Sequence, residues 1–446
     1  MSHVERRPVA VVGAGLAGVT AARALRQRGI PVRLYEAGPR IAGLAASFQD
    51  EDGFTSDFGA HFVTNRLAAA IGAGDQCRDV RHYGEAVLLA GKVYGYPFGL
   101  LGNPRFLLSG IAARAGRRSN GAAGSAAEWF RAAYGPALAN AVAIPLVEAW
   151  SGATAESLAP TVASEKLQHS VLHTLYLKLA SRVTGRAVAN GYSHEMPESP
   201  SVWHVYPDGG VSTLVQRLAD GLESGSILLE SPVDAIVVDA GRVVAVRSRG
   251  QEDEVSAVLS TAPCHVLPRL VVGTDALEHL ARFRFRAMVF VNLRLRGRGL
   301  LPDTVLWTPE QQFPFFRLTE TTLSMPWLAP PGKCVVTADF GCEVKDATWS
   351  LSDDRAIELC LEHLAPIIPD VRQRYLGANV LRTPIAYPVY LKEYEADRIR
   401  LRQTTGITGL YSIGRNGEFA HILMEDVYWR TLSRVRQLVR DLDLNN

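Results

Sequence analysis

Residues 8–40 read PVAVVGAGLAGVTAARALRQRGIPVRLYEAGPR, and this stretch decides the fold. Val9 to Val12 form a short apolar run without polar alternation, which predicts a parallel strand covered on both faces. Gly13, Gly15 and Gly18 follow with the spacing G-x-G-x-x-G. Gly13 allows the tight turn, Gly15 lets the backbone come close to a pyrophosphate, and Gly18 lets the next helix lie against the strand. The first amides of that helix, with its positive dipole end, attract phosphate. Val32 to Tyr35 predict a second strand, and Glu36 ends it 18 residues after Gly18. A carboxylate there accepts hydrogen bonds from ribose hydroxyls and suits a plain adenosine ribose better than a 2′-phosphate. Three glycines alone are a weak sign. The complete β-α-β unit with its terminal acid predicts dinucleotide binding.

The glycine turn does not by itself separate FAD from NAD. Beyond it stand Arg40, the run Gly43-Leu44-Ala45-Ala46-Ser47-Phe48, and residues 54–63, FTSDFGAHFV. These stretches resemble the flavin-containing amine oxidases, protoporphyrinogen oxidases, carotenoid desaturases and UDP-galactopyranose mutases. In that superfamily an Arg and a glycine pair follow the acid, in a loop running beneath the flavin; here the pair reads Ala42-Gly43. The resemblance therefore places Ala37, Arg40, Gly43, Leu44 and Ala45 with FAD, beside Ala14, Leu16 and Ala17 of the glycine turn. Asp57-Phe58-Gly59-Ala60-His61-Phe62 resembles the segment passing close to the isoalloxazine ring, which adds Gly59, Ala60, His61 and Phe62.

The resemblance runs along the whole chain. Tyr206-Pro207-Asp208-Gly209-Gly210 and the following VSTLVQRLADGL resemble the family's P-x-G-G turn and helix, and Pro-Asp-Gly-Gly is sound turn chemistry in itself. Residues 231–250 predict a β-hairpin around Asp239-Ala240-Gly241, and the family match to Val233 touches the adenine end. LSTAPCHVL, residues 259–267, resembles the strand-to-loop crossing that returns to FAD, with Thr261, Ala262 and Pro263 at the cofactor. Residues 409–439, GLYSIGRNGEFAHILMEDVYWRTLSRVRQLV, resemble the closing strand, turn and helix of the family. There Gly414, Arg415, Met424, Glu425, Asp426 and Val427 occupy the positions set over the flavin and its ribityl chain. Two chain ends converging on one cofactor imply FAD.

At 446 residues the chain exceeds a single core, so two domains are expected. A net charge of +2 offers no large field for nucleic acid, and the basic run at residues 114–118 has no interleaved aromatics. MSHVERRP is too short and too polar for a secretory signal, and no run of about 18 apolar residues predicts a membrane span, so a cytoplasmic location is expected. Residues 98–115, FGLLGNPRFLLSGIAARA, form the stretch where peripheral membrane contact would arise, but a plain solvated surface is the favoured reading. Five cysteines without C-x-x-C spacing argue against a disulfide framework. His169 and His173 lie one helical turn apart without a third ligand, so no metal site is expected. The partner implied is a small-molecule substrate; the oligomeric state is not legible.

The expected fold is α/β. A Rossmann-type FAD-binding domain is assembled from three segments, residues 1–65, 202–270 and 402–446, and an α+β substrate domain is inserted. Its helical part is expected at 66–201, and its mixed β-sheet at 271–401, from strand-like runs at 287–295, 304–308 and 333–340. Ser352 with two following acids predicts a helix start, and residues 116–126 a mobile loop.

Several residues are candidates for the chemistry. His61 either faces the flavin's reactive edge or is a satisfied structural histidine. Arg415 either neutralises cofactor charge or pairs with Glu418. Arg317 and Glu320 match a segment lining the substrate side in relatives, and Tyr387 and Tyr390 form an aromatic wall or core packing. His61, Arg317 and Tyr387 are the catalytic candidates. The resemblance implies an FAD-dependent oxidase or desaturase that passes a substrate hydride to flavin N5, with reoxidation by oxygen or another acceptor. No second glycine fingerprint announces a nicotinamide domain. The run RNGEFAHILMED also resembles the mutase tail, which keeps a nucleotide-sugar mutase without net redox as the alternative. Gly15→Val is expected to yield protein without flavin, read from the visible absorbance of the purified variant; full flavin content would remove the assignment of this turn.

Overall fold

The computed structural model describes residues 7–115, 123–164 and 171–443. A five-stranded parallel sheet runs in the order Ile227–Leu228, Val32–Tyr35, Val9–Val12, Ala257–Ser260 and Leu410–Ser412. Three distant stretches of chain thus build one sheet. All four residues of Val9–Val12 are buried, as a central parallel strand requires. Val9 and Val11 face a helical layer that includes Leu25, Val215 and Val435. Ala10 and Val12 face the opposite cluster, with Ile236, Val246 and Phe419. The strand's period of two therefore joins two cores across one sheet.

Val12 pairs with Ser260, and Ser260 with Ser412, so these strands end level and the loops after them meet at one edge. Edges of this kind, at the carboxyl ends of parallel strands, hold ligands in open α/β sheets. Backbone closeness fixes the edge. A Cβ on Gly18 would overlap the Gly13 carbonyl oxygen, and one on Gly13, at φ +94°, would overlap the Thr261 hydroxyl. Gly414, at φ +76°, brings the closing turn against the first helix, where a Cβ would lie 2.8 Å from Ala17 Cβ.

The second large sheet has seven strands in the order Tyr375–Pro388, Phe285–Arg296, Lys333–Cys342, Arg317–Glu320, Val305–Trp307, Glu85–Leu89 and Lys92–Gly95. The strand-like runs at 287–295, 304–308 and 333–340 all fall on its strands. Glu85–Leu89 and Lys92–Gly95 come from the stretch read as mostly helical, and pair with this sheet through Val305–Trp307. Among the described residues the rest of that stretch is largely helical, including Pro104–Ala115, Ala126–Tyr134, Ile144–Ser151 and Val171–Thr184.

Local signals hold where turn chemistry is strong. Val233–Asp239 and Arg242–Ser248 form the expected hairpin, with Ala240 and Gly241 both at positive φ. The Ser352 hydroxyl accepts the Arg355 N–H and caps the helix Asp353–Leu364. All five cysteines are free thiols. His169, residues 116–118 and most of the proposed mobile loop lie outside the described residues. Among the described residues no helix is long and apolar enough to cross a membrane, and no group of three metal-ligating side chains exists.

The glycines of the first turn differ in what the protein itself demands. The nearest atom to a Cβ on Gly15 is the Ala42 carbonyl oxygen, 3.9 Å away. Gly18→Ala is therefore expected to cost about 2–4 kcal/mol in urea unfolding of the cofactor-free chain, because backbone must move. Gly15→Ala should stay within about 1 kcal/mol of the parent; equal losses would mean that helix packing does not explain Gly18.

Candidate active site

The level edge of the parallel sheet presents the start of the helix Leu16–Arg26. Its N-cap, Gly15, makes no side-chain capping bond, and the first turn holds no acid. The positive end of the helix is thus left for an external anion. Gly15 forms an isolated parallel bridge with Ala42, and Gly43 stands at φ +53°, 3.5 Å from Gly15 Cα for an added Cβ. The loop carrying Gly43, Leu44 and Ala45 therefore lies beside the glycine turn. Glu36 Oε2 accepts the Ala14 N–H at 2.7 Å and Oε1 accepts the Gly38 N–H at 2.8 Å. Each oxygen keeps a further acceptor position for ribose hydroxyls. The Ser231 N–H donates to the Glu36 carbonyl, which draws the strand of Val233 to the same end.

The other half of the site lies where the closing turn meets the second sheet. Arg317 opens its strand directly opposite Asp339, and its Nε donates to the fully buried Asp339 carboxylate at 2.8 Å. Burial works against the Arg317 charge, but Asp339, with the Tyr387 and Tyr83 hydroxyls, holds its pKa above the ordinary arginine value. Arg415 comes from the closing turn. One of its terminal nitrogens donates to the Ala386 carbonyl at 2.9 Å, and its guanidinium sits 5.0 Å from the Tyr387 ring centroid. Its buried Nε has no hydrogen-bond partner, and neither has the buried Asn416 Oδ1 beside it. Burial pulls the Arg415 pKa down, with Arg317 adding to the effect against Tyr387 and Tyr390. Among the described residues no carboxylate pairs with Arg415; Glu418 instead lies 3.4 Å from Arg430.

His61 completes this group. Its buried Nδ1 has no hydrogen-bond partner and lies 4.0 Å from Asp57 Oδ2. Burial, reinforced by Arg415 and Arg317, lowers its pKa to about 4, so the ring is neutral near pH 7. Asp57 accepts a hydrogen bond from the Tyr206 hydroxyl, and burial lifts its pKa to about 6. Gly59, at φ +75°, would place a Cβ 2.9 Å from Phe290 and 3.2 Å from Arg317, so this loop presses on both. Tyr387, Trp150 and His421 form an aromatic corner, with ring centroids 5.0–5.4 Å apart.

Several candidates stand differently from the sequence expectation. Glu320 turns away from Arg317: it is fully buried and accepts the N–H groups of Gly299, Leu300 and Leu301. Three residues along a strand reverse the side-chain direction, so the two could not share a face. Glu425 and Asp426 spend their carboxylates on protein. Glu425 takes Thr64 and Arg66, and Asp426 takes Ser193 and the backbone of His194 and Glu195. Neither carboxylate is therefore left for a ligand. Ala37 and Arg40 are exposed, and Arg40 lies over the Phe48 ring at 4.5 Å. Thr261 bonds the Val12 carbonyl, with Ala262 and Pro263 following it at the same edge. Asp339, Trp150, Asn416 and His421 were not singled out as site residues, and Asp57 was named only as the start of its segment; strand register, which a single sequence does not carry, is what sets Asp339 opposite Arg317.

A model of the family described as flavin containing amine oxidoreductase matches residues 16–428. The chain belongs to that family and is an FAD-dependent oxidoreductase. The uncapped helix start, the open space at Gly15 and the unpartnered Arg415 Nε all fit such a cofactor. The fold is similar to the crystal structure of reduced UDP-galactopyranose mutase, with a TM-score of 0.78 at 17% identity over 97% of this chain and 95% of that one. It is also similar to cyclohexylamine oxidase from Brevibacterium oxydans, at TM-score 0.68 and 17% identity over 98% of this chain and 100% of that one. No curated protein matches the chain.

The opposed shifts of Asp57 and His61 give a test of this geometry. Asp57 is raised from 3.8 to about 6, so its contribution to stability is present below pH 3.8 and is lost as pH rises through 6. His61 is lowered from 6.5 to about 4, so its contribution is present above pH 6.5 and is lost as pH falls through 4. Between pH 4 and 6 the two offset, each worth about 3 kcal/mol at most. Relative to the parent, Asp57→Asn should gain stability and His61→Gln lose it as pH rises from 4 to 6, read from unfolding midpoints. Parallel curves for all three proteins would refute the shifts.

Proposed function

We propose that the chain is an oxidase or desaturase acting on a small organic substrate that is neutral or negatively charged at the reacting end. The observation that supports this is Arg415, a largely buried guanidinium with an unpartnered Nε and no paired carboxylate. Arg317 is already balanced by Asp339, and His61 is held neutral, so among the described residues of this group Arg415 is the cation without a directly paired carboxylate. A protonated amine would meet repulsion there, whereas an anion or a reduced electron-rich ring meets a donor.

FAD, when bound, supplies a two-electron acceptor for the substrate's hydride. The chain's own residues bind and orient. In this reading the amides after Gly15 and the carboxylate of Glu36 hold the dinucleotide, with the loops of Gly43 and Gly59, and Thr261 and Gly414, closing round it. Val233 and the backbone of Met424 to Val427 extend the same cradle. Arg317 and Arg415 orient the substrate or offset negative charge that gathers during reduction. Tyr387 offers a flat face for the substrate, and His61 a neutral ring able to donate or accept one hydrogen bond. The parallel sheet would form the cofactor half and the seven-stranded sheet the substrate half.

The same guanidinium pair suits the diphosphate of a nucleotide sugar, which favours the mutase as the second reading. Titrating the holoenzyme with benzoate and with benzylamine separates the charge classes. Benzoate should perturb the flavin absorbance and benzylamine should not, and Arg415→Gln should weaken benzoate at least tenfold, as for a lost charged hydrogen bond of about 1.5–3 kcal/mol. A response to benzylamine alone would overturn the charge argument. Dithionite reduction followed by air then divides the readings: rapid reoxidation with peroxide supports the oxidase, and a long-lived reduced state supports the mutase.

A further inference from the structure

Nine of the fifteen large apolar side chains exposed among the described residues lie on two helices and the turn before one of them. On Pro104–Ala115, Phe106 points inward to Leu100 and Val142, and Gly110 lies against the Tyr134 carbonyl. The opposite side shows Leu107, Leu108 and Ile111 to solvent, with Leu101 just before it. On Val171–Thr184, Leu177 is the fully buried anchor. Leu172, Leu175, Tyr176, Leu179 and Val183 recur every three or four residues and form one outward stripe, 78% exposed at Leu172 and 80% at Val183. Both helices therefore have an inward anchor and a second apolar face that the fold leaves open.

The second helix reaches the segment that leads into the first. Lys178, on the second helix, donates to the Tyr96 carbonyl at 2.9 Å, and its ammonium lies 5.6 Å from the Phe98 ring centroid. Phe98–Gly102 then leads directly into Pro104–Ala115.

Charge is segregated around this corner. The sequence has no acid between Glu85 and Glu128, and none between Glu165 and Glu195, while nine cations fall in those intervals. Since the chain holds 47 cations and 45 acids, the remainder is net acidic. Arg105, Arg114 and Lys178 lie on the two helices, with Arg182 one turn from the end of the second. Arg186 is paired with Asp79, but among the described residues no carboxylate pairs with Arg105, Arg114 or Arg182.

We propose that these two helices dock the chain on an anionic lipid surface, the leucine faces entering the headgroup layer and the arginines meeting lipid phosphates. Apolar area with cations and without acids is the composition that binds in the plane of such an interface. A second copy of the chain fits less well, because pairing this corner with itself would bring the unpaired Arg105, Arg114 and Arg182 of both copies together. The attachment lies on the membrane and does not span it, since neither helix has the length or uniform apolarity to cross. It is independent of the reaction assigned above.

Vesicle co-sedimentation of the holoenzyme tests this. The chain should pellet with vesicles of phosphatidylcholine and phosphatidylglycerol in equal parts, stay in solution with phosphatidylcholine alone, and lose binding as salt is raised. The double variant Leu108→Glu and Leu179→Glu changes only exposed side chains and should reduce pelleting by about tenfold or more, with the flavin spectrum unaltered. Failure to pellet with the mixed vesicles would overturn the proposal, as would undiminished pelleting of the double variant. So would light scattering that shows a dimer split by the same variant in protein that never binds vesicles.

Discussion

Close approach of three glycines to their neighbours at the edge of the parallel sheet is the constraint on which the site depends. Gly18 lies on the Gly13 carbonyl, Gly13 on the Thr261 side chain, and Gly414 on Ala17. A Cβ at any of these three points overlaps a neighbour, at Gly18 the main chain itself, and protein interiors do not absorb such displacements freely. Because the strands ending at Val12, Ser260 and Ser412 are level, closeness there brings three distant segments to one place. The cradle consequently belongs to no single contiguous stretch. Arg415 reaches the chamber only because the strand Leu410–Ser412 has paired in register with Ala257–Ser260.

Charge in the chamber follows from that assembly. Burying a guanidinium is costly unless a partner compensates it. The second sheet supplies compensation for Arg317 through a cross-strand carboxylate, Asp339. For Arg415 the same sheet supplies only the Ala386 carbonyl and the face of Tyr387. Burial keeps His61 from adding a further cation. The protein thus holds in Arg415 a largely buried cation without a directly paired carboxylate among the described residues, an arrangement that an anion would favour.

Much of the geometry at the edge of the parallel sheet was legible because its requirements are local. Gly13, Gly15, Gly18 and Glu36 are set by a turn, a helix start and a strand end within one β-α-β unit, and each leaves a mark at fixed spacing. The hairpin at Ala240-Gly241 and the cap at Ser352 were legible for the same reason. The chamber was not, because it is made of register. Arg317 and Glu320 look equivalent as letters, yet strand alternation sends one toward the site and the other to the turn at Gly299. Glu425 and Asp426 stand where the family pattern puts cofactor contacts, but partners more than 230 residues away in sequence have claimed their carboxylates.

Periodicity has a similar limit in the helices. A stripe of leucines at spacings of three and four reads as the face that packs on the core, because a surface helix normally buries its apolar side. In Val171–Thr184 the stripe from Leu172 to Val183 faces outward, and among the described side chains Leu177 is the buried one. Period tells that a helix has a face, not what covers it. A fold that needed only solubility would have no reason to keep five large apolar residues in that stripe, since exposed patches of this kind invite association. The absence of any acid from Lys166 through His194 removes the ordinary device for keeping such a patch dispersed near anionic surfaces. Both features become intelligible together if this corner of the molecule has an anionic, partly apolar neighbour, and neither is required by the packing of Phe106 or Leu177 against the rest of the chain.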